Sequence, residues 1–418
     1  MDKLAIHGGT PVISHQLPHY SSIGDREMNA VAEVIRSGNL SGFYGSWGDE
    51  FFGGPVVKQF EKEWVTHFSV KHAVSVNSAT SGLFAAMGAV GIRPGDEVIV
   101  PPYSMSATAM APLVYGGIPV FADIEAETFC LDPESVRANI TEKTKAIIAV
   151  NLFGHPAALA ELRTLADQHG VMLVEDNAQS PLATENDRYA GTIGHVGVFS
   201  LNYHKHIHTG EGGMCVTDND DLCLRLQMIR NHAENIVEPL NISNPINMVG
   251  FNYRMTEMSA AVGISQLAGI DQHVGQRAQI AQMLSRGIEG LEGLSSPVVR
   301  RNCRHVYYVW AIRVDERVLG VSRERFSEAL AAEGFPNFCG YVRPLYLLPL
   351  FQRRIAFGDY PFNLTTRRYG KGMCPVTERL YEKELLCFEN CMYEVHAGDA
   401  ERMIEAIRKV HAERGALV

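Results

Sequence analysis

The sequence predicts an α/β protein, and two observations carry that prediction. Between residues 72 and 176, short apolar runs alternate with segments of helical periodicity. Most of the apolar runs are nearly continuous, which is typical of strands whose two sheet faces are both covered by helices. Alternation at this spacing indicates right-handed βαβ units, so we expect a three-layer α/β/α domain around a mainly parallel sheet.

The elements of this domain can be assigned in order along the chain. The predicted strands are 72–77, 96–101, 118–123, 145–153 and 171–176, and a further strand leads into the segment 197–218. The predicted helices are 80–90, 106–116, one beginning near residue 132, and 156–170.

The pattern changes in the second half of the chain. A long helical stretch at 256–294 is followed by a β-rich piece at 305–315 and by helices near 322 and 397. This change predicts a large domain over residues 1–270, including an N-terminal arm, and a smaller α+β domain over 271–418. We expect the ligand in a cleft between the two.

Composition excludes several classes of function. Lysine and arginine total 37 against 47 acidic residues, a formal net charge of −10, and the basic residues form no cluster. Nucleic acids and anionic membranes are therefore not expected partners. No segment approaches 18 uninterrupted apolar residues, so no membrane-spanning helix is expected. The N-terminus lacks the apolar core of a signal peptide and the eight cysteines include no CxxC pair, which predicts a cytoplasmic protein with reduced thiols.

Four segments carry candidate chemistry. They are VNSATSGL (76–83), PPYSMSAT (101–108), VEDNAQS (174–180) and GVFSLNYHKHIHTGEGGMCVTD (197–218). The helix start in the first segment offers backbone amides to a phosphate group. Asp176 in the third lies at the carboxyl end of a predicted parallel strand, where it is either a ligand-binding acid or a helix cap.

The fourth segment admits three interpretations. It lacks the GxxxxGK[ST] pattern, so it is not a P-loop. His204, His206 and His208 would share one face of an extended chain, but no cysteine or carboxylate pair lies nearby, and no metal site is expected. The third interpretation is a loop whose lysine, Lys205, merely reaches solvent.

Together, the four segments match the needs of one cofactor. Pyridoxal 5′-phosphate requires a lysine for its aldehyde, an acid that keeps its pyridine nitrogen protonated, and an anion site for its phosphate. The protonated ring is the strong electron acceptor on which its chemistry depends. We therefore expect this cofactor.

With these four segments, the sequence resembles a known family, the DegT/DnrJ/StrS aminotransferases, which have the fold type I of aspartate aminotransferase. FSLNYHKHIHTGEGG resembles their FSFxxxKxxTxGEGG signature, and VEDNAQ their EDxAQ motif. Further similar segments follow in the family's order: NSATSGL, GFNYRMTEMSAAVGISQL (250–267), GYVRPLYLLPLF (340–351) and CPVTERLYEKELLCF. The resemblance covers nearly the whole chain.

The resemblance implies a role for each matching position. Lys205 would bind the cofactor covalently, Asp176 would contact the pyridine nitrogen, and Gln179 would lie near the phenolic oxygen of the ring. Ala79, Thr80 and Ser200 would hold the phosphate. Asn252 would reach a phosphate in the neighbouring subunit, so a homodimer with shared active sites is expected.

Three departures from the family pattern concern the ring and the substrate. The aromatic residue that usually stacks on the cofactor is replaced by Met105, with Tyr103 as the alternative stacking residue. A histidine near the substrate in other members is Tyr346 here. The loop is richer in histidine than usual, so His206 and His208 are candidate contacts of substrate or cofactor.

The implied activity is amino transfer, in amino-sugar biosynthesis, from L-glutamate or L-glutamine to a keto sugar, nucleotide-linked as in most of the family. Ping-pong kinetics are expected. The opening LAIHGGTPV resembles members that aminate ketocyclitols such as scyllo-inosose, which is the first alternative. The others are a sugar dehydratase, although those members replace the lysine by histidine, and a non-catalytic sensor. The sequence fixes neither the acceptor's ring position nor its stereochemistry.

Overall fold

The computed structural model describes residues 3–418. Its strands are β1 (His72–Val76), β2 (Glu97–Val100), β3 (Ile118–Phe121), β4 (Thr144–Val150), β5 (Met172–Asp176), β6 (Thr184–Glu185), β7 (Arg188–Tyr189), β8 (Val196–Ser200), β9 (Gly213–Thr217), β10 (Leu294–Ser295), β11 (Cys303–Arg304), β12 (Trp310–Val314), β13 (Phe338–Cys339) and β14 (Leu385–Phe388). Its α-helices are α1 (Asp25–Ser37), α2 (Pro55–Phe68), α3 (Ala79–Ala89), α4 (Ala107–Met110), α5 (Pro133–Asn139), α6 (Leu159–His169), α7 (Asp220–Arg230), α8 (Glu257–Leu267), α9 (Ile270–Gly287), α10 (Glu316–Leu319), α11 (Arg323–Ala332), α12 (Pro349–Gln352), α13 (Pro375–Arg379) and α14 (Ala397–Ala412).

A seven-stranded sheet forms the centre of the structure. Its strand order is β1-β9-β8-β5-β4-β2-β3, and only β9 runs against the other six. The predicted α/β fold with a mainly parallel sheet is thereby confirmed. Because β1, β2, β5 and β8 run in the same direction, their carboxyl ends meet at one edge, where open α/β sheets bind ligands.

Alternate residues of the central strands enter two separate cores. On β4, Ile147 and Ala149 pack on one side with residues of α2 and α6, whereas Ala146 and Ile148 pack on the other with residues of α3 and α7. Successive side chains of a strand point to opposite faces, so a strand between two helical layers must be apolar throughout. This is why the predicted strands appear as continuous apolar runs.

Three predicted elements differ in extent, each for a local reason. The helix predicted at 106–116 is α4 followed by a 3₁₀ turn at Pro112–Tyr115, because Pro112 has no N–H for an α-helical bond. The stretch 256–294 divides into α8 and α9 around Gly269. The β-rich piece at 305–315 forms a strand only from Trp310 onward, since Tyr307 has a φ of 53° that interrupts extended backbone.

A second, antiparallel sheet lies in the C-terminal part, with strand order β10-β12-β14-β13. Residues of α9, α11 and α14 share its hydrophobic core. Leu4, Ile13 and Leu17 of the N-terminal segment pack into this same core. The division of domains at 270/271 stays a prediction. Within residues 3–418, no helix combines the length and apolarity that a membrane crossing requires.

Glu257, a residue of the GFNYRMTEM segment, joins two helices. Its side chain is 1% exposed, and its carboxylate accepts hydrogen bonds from Val56 N at 2.8 Å and Val57 N at 3.3 Å. These amides open α2, where the N-cap residue, Gly54, has no side chain to satisfy them. Glu257 therefore caps α2 from the first turn of α8.

We expect Glu257→Ala to lower the free energy of unfolding by about 3 kcal/mol, because two buried N–H groups lose a charged acceptor. Urea denaturation followed by circular dichroism measures this. Glu33→Ala, which removes an exposed carboxylate of α1, should change the stability by less than about 0.5 kcal/mol. Equal stability of the two variants would contradict the capping role.

Candidate active site

The residues around the candidate site come from three strand ends and from the start of a helix. Thr108 follows β2, Asp176 ends β5 and Ser200 ends β8. Ser200 pairs in register with Gly213 of β9. A Cβ on Gly213 would lie 2.7 Å from Ala79 N, so the start of α3 packs directly against this strand pair. The fold thus brings the start of α3 close to Ser200.

Asp176 is a buried carboxylate with few partners. It is 4% exposed, its Oδ2 accepts a hydrogen bond from Thr108 Oγ1 at 2.9 Å, and its Oδ1 accepts one from Ala178 N at 3.2 Å. Burial raises the pKa of Asp176 above its ordinary value, while the Thr108 and Ala178 bonds and the charge of Lys205 oppose this rise. The carboxylate is held firmly and coupled to the lysine.

Lys205 lies in the loop between β8 and β9. Its Nζ donates a hydrogen bond to Tyr308 Oη at 3.4 Å and lies 4.4 Å from the centroid of the Tyr308 ring. Burial lowers the pKa of Lys205 to about 8, against the opposing effect of the negative charge of Asp176. With a pKa of about 8, roughly a tenth of the amine is neutral at pH 7, and that fraction can act as a general base.

The start of α3 is built from small residues. Ser78 caps the helix by accepting a hydrogen bond from Ser81 N at 3.1 Å, and Thr80 is exposed. The first amides of a helix lack intrahelical partners and favour an anion. Ser200 Oγ accepts a hydrogen bond from Asn202 N at 3.3 Å.

Asn252 is exposed and lies beside the segment that joins β1 to α3 of its own chain. Its backbone carbonyl accepts a hydrogen bond from Asn77 Nδ2 at 3.3 Å, and its side-chain oxygen accepts one from Arg254 Nε at 2.8 Å. The side-chain amide nitrogen points to no partner among the described hydrogen bonds of residues 3–418. Asn252 is thus available at the molecular surface, as contact with a second subunit requires.

Gln179 is 4% exposed and connects two distant segments. Its Oε1 accepts a hydrogen bond from Phe153 N at 2.7 Å, and its Nε2 donates one to Tyr341 Oη at 2.9 Å. The side chain therefore has a fixed orientation within the site.

Tyr103 and Met105 occupy different surroundings. Tyr103 is fully buried, and its ring makes an edge contact with Tyr341 at a centroid distance of 5.9 Å. Within residues 3–418, its hydroxyl has no hydrogen-bond partner. Met105 is 59% exposed, and its carbonyl accepts a hydrogen bond from Thr108 N at 3.2 Å. Of the two, Met105 is open to a ligand beside Asp176.

The loop histidines do not converge. His206 is fully buried, accepts a hydrogen bond from Arg277 Nη1 at its carbonyl at 2.9 Å, and lies 3.6 Å from Cys391 Sγ. His208 is partly buried and its Nδ1 accepts a hydrogen bond from Gly210 N at 3.3 Å. Across the described chain, no group of three histidine, cysteine or acidic side chains is arranged to hold a metal ion.

Tyr346 belongs to the core on the α3 side of the central sheet. It is fully buried, packs against Phe121 and donates a hydrogen bond from its hydroxyl to Glu378 Oε1 at 2.5 Å. Its contacts are those of a core residue.

Sequence reasoning missed Thr108, Tyr308 and Tyr341 as contacts of the site. Thr108 lies within the PPYSMSAT segment, and its place in the helix that follows a predicted strand end was the available signal. Tyr308 and Tyr341 come from the C-terminal half of the chain, and no spacing in the sequence connects them with Lys205 or Gln179.

Comparison with known proteins agrees with this arrangement. The profile of the DegT/DnrJ/EryC1/StrS aminotransferase family matches residues 21–408. GDP-perosamine synthase of Caulobacter vibrioides is 34% identical over 71% of this chain and 78% of its own length. L-glutamine:2-deoxy-scyllo-inosose aminotransferase of Streptoalloteichus tenebrarius is 32% identical over 99% of each chain. The structure of an aminotransferase from Psychrobacter cryohalolentis superimposes with a TM-score of 0.83 and 28% identity, covering 95% of this chain and 99% of that one.

Proposed function

Because the chain belongs to the DegT/DnrJ/EryC1/StrS family of aminotransferases, which depend on pyridoxal phosphate, we propose that it transfers an amino group from L-glutamate or L-glutamine to a keto sugar. The observation that carries the proposal is that Asp176, a buried carboxylate at the end of β5, acts electrostatically on Lys205, whose pKa burial lowers to about 8. Retention of Lys205 also argues against the dehydratase alternative.

The residues at the sheet edge fit the cofactor. Lys205 would bind its aldehyde, Asp176 would face its ring nitrogen, and Gln179 would lie at its phenolic oxygen. The start of α3 at Ala79 and Thr80, together with Ser200, would hold its phosphate, and Met105 would contact the ring face. Thr80 in the first turn of α3 is exposed, which supports the phosphate assignment.

Pyridoxal phosphate supplies, when bound, an electron-accepting ring for the carbon that loses its proton. Lys205 Nζ would take the proton from the α-carbon of the amino donor and, in the acceptor half-reaction, would return a proton to the carbon that receives the amino group. The carboxylate of Asp176 would hold a proton at the ring nitrogen by electrostatic attraction, and burial in a low-dielectric site would strengthen that attraction.

For the acceptor we propose a nucleotide-linked keto sugar. Arg301, Arg304 and Arg343 are exposed cations available to a diphosphate, and Arg343 follows closely after Tyr341, the partner of Gln179. Arg300 is not available, because its Nη2 donates to Pro156 O at 2.7 Å and Ala157 O at 2.6 Å. The similarity to GDP-perosamine synthase supports the same class.

A ketocyclitol is the second candidate. A specific observation favours it: the scyllo-inosose aminotransferase matches 99% of both chains, including the N-terminal segment. A ketocyclitol presents the same ring ketone without a nucleotide, so the two candidates differ in their need for phosphate-binding cations.

The proposal includes a cytoplasmic homodimer that shares its active sites. The exposed position of Asn252 beside the β1–α3 junction supports the sharing. Size-exclusion chromatography with light scattering measures the oligomeric state directly.

The proposal is tested by incubating the purified holoenzyme with each donor. The acceptors are a panel of nucleotide-linked keto sugars and ketocyclitols. We expect ping-pong kinetics, with the amine product identified by mass spectrometry.

Arg343→Ala should raise KM at least about fivefold for a nucleotide-linked acceptor and leave KM for a ketocyclitol unchanged, because one charge-assisted phosphate contact is lost. Arg36→Ala, which removes an exposed arginine of α1, serves as the control. Amination of ketocyclitols alone would replace the first acceptor class by the second.

A further inference from the structure

We propose that Tyr308 is a positioning residue for Lys205, holding the free amine in the site through its hydroxyl and its ring face. The inference rests on the proposed role of Lys205. It assigns a task to a residue of the C-terminal sheet region that neither the motifs nor the comparisons single out.

The geometry consists of two contacts between one tyrosine and one amine. Tyr308 Oη accepts a hydrogen bond from Lys205 Nζ at 3.4 Å, and the amine lies 4.4 Å from the ring centroid, within the range of a cation–π interaction. Both contacts are more favourable to the ammonium than to the neutral amine. The tyrosine is 7% exposed, so the contacts are little screened by water.

Two sets of contacts fix the position of Tyr308, one through the backbone of the next residue and one through its ring. It directly precedes Val309, whose amide donates to Phe153 O at 3.3 Å, and Phe153 N donates in turn to Gln179. The ring also lies 6.3 Å from the His204 ring and 6.2 Å from the His206 ring, so residues on both sides of Lys205 border it. The tyrosine therefore links the lysine loop with the segment that orients Gln179.

The hydroxyl does not exchange protons with the lysine near neutral pH. Burial raises the pKa of Tyr308 far above its ordinary value, so the hydroxyl stays protonated. Tyr308 thus acts on the position and charge of Lys205 and does not replace it as the base. The titratable or charged groups around the pair are Asp176, Tyr203, His204, His206, Arg277, Tyr341, Glu389 and Cys391.

Tyr308→Phe removes the hydroxyl and retains the ring. Loss of an acceptor for the ammonium should lower the pKa of Lys205 by about one unit from its value near 8. Competitive labelling of the cofactor-free full-length protein with trace acetic anhydride, read by mass spectrometry at the Lys205 peptide, measures this midpoint over pH 6–10. In the holoenzyme, we expect kcat for the donor half-reaction to fall about tenfold with KM changed less than about twofold, and its acid limb to move to lower pH.

Tyr369→Phe is the matched control, because it also removes a buried tyrosine hydroxyl, one that donates to Pro119 O at 2.9 Å. It should leave both the labelling midpoint and kcat unchanged. Thermal unfolding of both variants establishes that each is folded. An unchanged midpoint and an unchanged kcat in Tyr308→Phe would overturn the inference, as would equal shifts in the two variants.

Failure of the inference is distinguishable from failure of the proposed function. Borohydride reduction of the holoenzyme, followed by peptide mapping, shows whether the cofactor is bound to Lys205. Cofactor at Lys205 with an unshifted midpoint in Tyr308→Phe contradicts only the role of Tyr308. Cofactor elsewhere contradicts the role of Lys205 in the reaction, whatever the labelling midpoint.

Discussion

Lys205→Ala is expected to reduce amino transfer by about four orders of magnitude, because in the proposed function Lys205 both binds the cofactor covalently and moves the proton. Within residues 3–418, no second amine appears among the side chains that contact Lys205 or Asp176. The fold should be retained, since the variant removes a partly buried charge whose pKa burial lowers to about 8. The stability lost with the Tyr308 contact should be small compared with the stability of the whole fold.

Single-turnover conversion of the amino donor, followed by the absorbance of the bound cofactor, measures this loss. Lys145→Ala, at an exposed position of β4, is the control and should keep the rate of the unaltered protein. If Lys205→Ala retained more than about one hundredth of the rate, another base would have to carry the proton. A sensor without catalysis would instead show no conversion in either variant while still binding the cofactor.

Asp176→Asn is expected to lower kcat by about two to three orders of magnitude. Asparagine has nearly the same shape and can still accept the hydrogen bond of Thr108, but it carries no charge to keep a proton at the ring nitrogen. The same change removes the negative charge that raises the pKa of Lys205, so that pKa should fall further below 8. Asp176→Asn should therefore change two quantities that are measured independently, namely kcat and the pKa of Lys205 given by the labelling midpoint.

Thr108→Val provides a graded comparison. It removes the 2.9 Å hydrogen bond to Asp176 Oδ2 and leaves the charge in place, so kcat should fall only about tenfold. Asp187→Asn, at an exposed turn between β6 and β7, should have no effect. An Asp176→Asn variant within threefold of the unaltered rate would exclude a charge role for this carboxylate.

Much of the fold could be predicted because its signal is local. A strand between two helical layers needs apolar residues on both faces, and β2, β3 and β5 carry that pattern within four or five consecutive residues. The placement of Asp176 and Ser200 at one edge follows from the common direction of their strands. These inferences need only the order of elements along the chain.

The remaining site residues depend on contacts between distant segments. Lys205 and Tyr308 are 103 residues apart, and Gln179 and Tyr341 are 162 apart, so only the packing of the C-terminal part against the sheet brings them together. The loop that contains the three histidines shows a different limit of prediction from sequence. A shared face for His204, His206 and His208 assumes an extended chain, whereas residues 203–207 form turns and bends.

Tyr346 shows why a motif position does not fix the direction of a side chain. Position 346 matches a histidine that lies near the substrate in other members of the family. Here the hydroxyl of Tyr346 donates a hydrogen bond to Glu378 within a core that contains Phe121. A larger ring at the same backbone position can be directed into the apolar interior, where burial of aromatic surface is favourable.

The N-terminal segment that packs into the C-terminal core also has a consequence for the order of events during protein synthesis. Both carboxylate oxygens of Glu333 accept hydrogen bonds from this segment, one from Ala5 N at 2.9 Å and one from Val12 N at 3.0 Å. Lys409 completes the arrangement by donating to Thr10 O at 3.1 Å and pairing with Glu333 at 3.0 Å. Ala5, Thr10 and Val12 can therefore reach their native contacts only after residues 333 and 409 have been synthesised. Docking of this segment is thus a late step that depends on contacts between residues far apart in the chain.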